Sequence, residues 1–123
     1  MTKEINIMLS VSVKNGFFKH TFNPGQILVD QAAPGRGGHV QEIGTTEETL
    51  EFGDISTEGY LILQNLDAEN FVEYGPQVGT GSAELCCMLK PGEPALLRLK
   101  PGSVWRAKAD TAPVKLDVCL LEN

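Results

Sequence analysis

Hydrophobic and polar positions alternate along much of this chain, with the two-residue period of β-strands. Ile5, Ile7, Leu9, Val11 and Val13 share one face against Asn6, Met8, Ser10 and Ser12, which predicts a first strand over 5–13 with its apolar face buried. Asn15-Gly16 is a dipeptide of tight hairpins, and 17–22 reads as the returning strand. Further strands are expected over 26–31, 39–43, 49–52, 85–89, 95–99, 104–109 and 114–121. In the last, Val114, Leu116, Val118 and Leu120 alternate with Lys115, Asp117 and Cys119. The stretch "GYLILQNLDAENFVEYG" reads as a strand, a polar hairpin connection and a second strand.

The turn chemistry supports this reading. Pro-Gly recurs at Pro24-Gly25, Pro34-Gly35, Pro91-Gly92 and Pro101-Gly102. Proline presets φ at the first central position of a type II turn, and glycine accepts the positive φ at the second. The repeat of Lys-Pro-Gly in "LKPGEPALLRLKPGSVW" predicts a β-meander over 85–109. "TTEETLEF" carries the one helical signal, a capping box from Thr45 to Glu48, and Gly44 and Gly53 limit it to a couple of turns. The expected fold is all-β: a single domain over 1–123, an antiparallel β-sandwich or jelly roll of about eight to ten strands.

Composition narrows the function. At 41% hydrophobic and 21% charged residues the chain has enough apolar surface for a packed core. A net charge of −6 argues against nucleic acid, whose phosphates require a basic footprint, and disfavours an anionic membrane surface. The apolar runs fall well short of the roughly 18 residues that span a bilayer. The opening Met-Thr-Lys-Glu lacks the form of a signal peptide, so synthesis in a cytoplasm is expected. Cys86, Cys87 and Cys119 make no disulfide framework and read as small buried hydrophobes, with neither zinc nor a disulfide expected.

Candidate chemistry is sparse. Asn65, Asp67, Glu69 and Asn70 are oxygen donors, but a calcium loop wants a glycine at the bend and a terminal glutamate, so Asx turns explain them better. "PGRGGHV" lacks the Lys-Ser/Thr of a phosphate-binding loop. Gly35, Arg36, Gly37 and Gly38 read instead as a long partner-contacting loop with no internal packing role, Arg36 being its strong bidentate donor. Ser56, Ser82, Ser103, His20 and His39 sit in no nucleophile motif, so no catalytic residue, metal or cofactor is assigned. Tyr60, Tyr74 and Trp105 are candidates for an aromatic platform that stacks a sugar, or else pack in the core or at a subunit interface.

"GDISTEGYLILQNLDAENFVEYG", "LKPGEPALLRLKPG" and "AKADTAPVKLDVCLLEN" together resemble small β-rich structural proteins of tailed bacteriophages and prophages, over about residues 45–123. The resemblance implies a non-enzymatic virion component: a capsid decoration or cement protein on the capsid surface, binding the major capsid protein or other virion proteins as a homo-oligomer, dimer or trimer. The alternative it leaves open is a glycan- or receptor-binding module in a head fibre or tail.

Overall fold

A computed structural model describes residues 3–123. The chain divides into two compact units, residues 1–32 and 33–123, where the sequence reads as a single domain. Every strand pairing described is antiparallel, and the fold is all-β.

The first unit is a nested β-ribbon. β1 (Ile5–Met8) pairs with β4 (Gln26–Val29), and inside that ladder β2 (Val11–Asn15) pairs with β3 (Phe18–Phe22). The strand expected over 5–13 is thus two strands, interrupted at Leu9 and Ser10. At the tip, Gly16 has φ 59° and Phe17 is the second loop residue, the pattern of a type II′ turn with glycine leading. Asn15 therefore ends its strand opposite Phe18, one residue out from the hairpin read from Asn-Gly. The apolar face expected to be buried is covered only in part: Ile5 and Ile7 are half-buried, while Leu9, Val11 and Val13 keep 42–45% of their surface in solvent, as Phe18 and Phe22 of β3 keep 62% and 49%. Leu9→Asp is accordingly expected to leave the thermal unfolding of residues 33–123 within about 0.5 kcal/mol of wild type, as surface changes do. A melt of that variant followed by circular dichroism checks this.

The second unit holds two sheets. β5 (Arg36–Gly37), β6 (Val40–Ile43) and β7 (Glu48–Thr49) come first, followed by β8 (Glu58–Asn65), β9 (Val72–Pro76) and β10 (Cys87–Leu89). β11 (Pro94–Arg98), β12 (Trp105–Ala109) and β13 (Val114–Glu122) complete it. One sheet has the order β10-β9-β12-β7, and the other β11-β8-β13-β5 with β6 also on β13. Leu61 and Leu63 of β8, Val72 and Tyr74 of β9, Ala107 and Ala109 of β12, and Val114, Leu116, Val118 and Leu120 of β13 pool into one buried cluster. The inward phase of β13 is the one the alternation predicted.

Two connections differ from expectation. β10, β11 and β12 form no meander, because β11 joins the sheet of β8 while β10 and β12 both pair with β9. The Lys-Pro-Gly turns do close, with Glu93 N–H donating to Lys90 O and Ser103 N–H to Lys100 O. Gly92 and Gly102 have φ of 82° and 88° as type II turns require. Such a turn reverses the chain locally without fixing which sheet receives the next strand. "TTEETLEF" forms no helix: Gly44 N–H donates to the Glu48 carboxylate across a turn that leads into β7.

Candidate functional site

Three buried polar side chains organise the second unit, each continuing the inward phase of an apolar strand. Gln41 on β6 donates to Thr49 O and Glu48 Oε1 and accepts from Glu51 N–H, fixing the segment that carries β7. Arg106 holds the same segment from β12, its Nε donating to Glu47 Oε1 at 2.8 Å and Nη1 to Thr49 Oγ1 at 2.7 Å. Asn65 closes β8 with no exposed surface; Nδ2 donates to Asn70 O at 2.9 Å and Leu89 O at 3.0 Å, while Oδ1 accepts from Asp67 N–H. Asp67 accepts in turn from Asn70 N–H and Glu69 N–H, and these bonds hold its carboxyl below the usual carboxylate range. The loop from Asn65 to Asn70 is thus an Asx-capped turn, with its principal oxygens spent on backbone N–H groups. It is not a hairpin connection, because β8 and β9 lie in different sheets.

Glu122 ends β13 in the same manner. Its carboxylate accepts from Thr57 N–H at 2.6 Å and from the Ser56 N–H and hydroxyl, and the Thr57 bond does most to lower its pKa. Donors that favour the charged form make the fold bind this proton less readily than the unfolded chain. The stabilisation is therefore complete above the ordinary value of 4.5 and is lost as pH falls through the lower folded-state value. Glu122→Gln is expected to melt below wild type at pH 7, with the gap narrowing as pH drops below about 4. A gap unchanged with pH would show that the carboxylate is not what holds Ser56 and Thr57. An inward-phase polar residue at a strand end is the sequence signal that marks Asn65 and Glu122 as anchors.

The residues singled out as a contact loop are packed. Arg36 and Gly37 form β5 on β13, and Gly37 is buried. A Cβ on Gly37 would lie 1.8 Å from Phe52 O, and one on Gly38, at φ 92°, would lie 2.3 Å from Val118 O. Gly35 O accepts from Glu122 N–H. The glycine-rich run is a close approach between backbones and not a loose loop, a correction to its expected lack of packing role. Arg36 is exposed, and its Nε lies 3.2 Å from Cys119 Sγ.

Nor are the three aromatic residues gathered into a platform. Tyr74 is 5% exposed and its ring lies 6.3 Å from that of Trp105, both against the core. Burial pushes the Tyr74 phenol up to about 12, with Cys87 and then Cys86 adding to the rise. Tyr60 sits in the other sheet with the Arg98 guanidinium 4.3 Å over its ring. The cysteines are less buried than expected: Cys86 is exposed, Cys87 and Cys119 are half-buried, and all three are free thiols. No group of three or more His, Cys, Asp or Glu that could hold a metal occurs among the described residues.

The feature with the clearest outward chemistry is the β2–β3 ribbon. Val11 opposes Phe22, Val13 opposes His20 and Asn15 opposes Phe18, so one face carries Val11, Val13, Phe18 and Phe22 with His20 and Asn15 among them. Phe17 at the tip is fully exposed. The other face sets Lys14 directly opposite Lys19. Where the inner ladder gives way to the outer, Met8, Leu9, Ser10, Asn23, Gly25 and Gln26 line a cleft of ≈ 220 Å³. Sequence reading took this face for core, since alternation looks the same whether the cover comes from the same chain or from another. No family model, curated protein or solved structure matches this chain.

Proposed function

We propose that the protein is a non-enzymatic assembly protein, a virion component of the capsid decoration or cement type. It binds the capsid lattice at the particle surface as a homo-oligomer, with the major capsid protein or another virion protein as partner. The observation that carries this reading is the exposed apolar face of the β2–β3 ribbon, a contiguous surface of the kind that marks protein contacts. Its aromatic residues are suited to anchoring an interface. The resemblance of residues 45–123 to phage structural proteins supplies the virion context. The groups with displaced pKa values also support a structural role, because Asp67 and Glu122 cap backbone and Tyr74 and Cys87 lie against the core. We read the two sheets of residues 33–123 as the layers of a sandwich, the fold class such proteins use.

Mass spectrometry of purified particles, with localisation by cryo-electron microscopy, tests the assignment. The expected result is stoichiometric protein at symmetry-related positions on the capsid surface. Its absence from particles would overturn the virion reading. A glycan-binding module has less support, since Tyr74 is buried and a guanidinium already stacks on Tyr60.

A further inference from the structure

We infer that Cys86 and Cys87 form a two-thiolate site for a soft monovalent metal ion, of which copper(I) is the type. Neighbouring residues of a regular strand point to opposite faces, yet the Sγ atoms of these two lie 4.0 Å apart. The chain just before β10 explains the departure. Cys86 N–H donates to Glu84 O at 2.8 Å, closing a γ-turn centred on Leu85 that keeps Cys86 out of the strand. Gly75 of β9 fixes that turn, since a Cβ there would lie 1.7 Å from Glu84 O and 3.2 Å from Leu85 Cα. Cys87 begins β10 opposite Tyr74, so its thiol sits at the margin of the core. Cys86 is exposed, which leaves the pair open to an incoming ion.

Distances decide what this pair can hold. Adjacent Cα atoms stand about 3.8 Å apart across a trans peptide, whereas ordinary disulfides span about 4.4–6.8 Å. An S–S bond between these neighbours would therefore be strained and readily reduced. A metal ion needs no such contraction. Bonds of about 2.3 Å to each sulfur span 4.0 Å at an S–metal–S angle of about 120°. Zinc takes four ligands, and among the described residues no group of three or more His, Cys, Asp or Glu could supply them. Copper(I) is selected by thiolates and is satisfied by two or three ligands, which suits an isolated pair. Its binding replaces two thiol protons by one cation, so both protons leave and the site goes from neutral to a single negative charge. The Tyr74 phenol hydrogen-bonds the Cys87 sulfur and offsets part of that charge.

The site is independent of the assembly reading and is tested on free, fully reduced protein. Anaerobic titration with copper(I) bicinchoninate, kept reduced by ascorbate, is expected to show one copper(I) withdrawn per chain by wild type and by Cys119→Ser. Cys86→Ser, a change at an exposed position, is expected to weaken uptake about a hundredfold, the order that a second linked ligand contributes. Cys87→Ser should do the same, with circular dichroism melts checking that each variant is folded. Zinc(II) offered with a chromogenic chelator is expected to stay on the chelator. No uptake by wild type, equal uptake by Cys86→Ser, or loss of uptake in Cys119→Ser would each overturn the site. Half an ion per chain would place the two thiolates on different copies, and zinc held as tightly as copper would remove the selection for a soft ion. Either result overturns it as well.

Discussion

Gly37→Ala is expected to lower the stability of residues 33–123 by about 3–5 kcal/mol, most of what a unit of this size has to lose. The added carbon would sit 1.8 Å from Phe52 O and 2.8 Å from Ile55 Cγ1, so β5 must leave β13 or the 52–55 segment must shift. Backbone cannot yield as a flexible side chain can. Gly44→Ala is the control: its Cβ would have nothing nearer than the Glu48 carboxylate at 3.6 Å, and a change below about 1 kcal/mol is expected. Urea denaturation of the two variants reads the difference. Deleting residues 35–38, which the sequence suggests would spare the fold, is expected to unfold it because the deletion removes β5 itself. Equal midpoints for Gly37→Ala and wild type would show that the two backbones do not approach as described.

Asn65→Ala is expected to cost about 2–4 kcal/mol. Alanine leaves the Asn70 and Leu89 carbonyls and the Asp67 N–H without their partner, and unmet buried polar groups cost more than a hydrogen bond contributes. The side chain joins the end of β8 to the loop before β9 and to the last residue of β10, so its loss should be felt in both sheets. Amide exchange at 66–71 is expected to accelerate more than exchange in β12. Uniform acceleration throughout the unit would mean that the bond network has no local role.

The sequence carried the strands more faithfully than the partners of those strands. Alternation located β8 and β13 to within a residue or two, and Pro-Gly marked turns at 24–25, 91–92 and 101–102 where glycine takes positive φ. Gly35 is the exception, since the chain there enters β5 instead of turning. The sheet that a strand joins depends on burial by residues far away in sequence, and no local signal records it. The same limit applies to the ribbon: the pattern at 5–13 specifies an apolar face but not what covers it. Glycine density at 35–38 reads as looseness, yet it reflects two backbones too close for a side chain.

The place of β13 bears on the order of folding. It is the central strand of its sheet, between β8 on one side and β5 and β6 on the other, although it follows all of them in the chain. During synthesis β8 can pair with β11, but β5 and β6 have no partner until residues 114–122 emerge, and pairings over such separations form slowly. The ribbon needs only neighbours within its own 30 or so residues, and hairpins of this kind form in roughly 1–10 μs. Its exposed apolar face therefore forms before the rest of its own chain has folded.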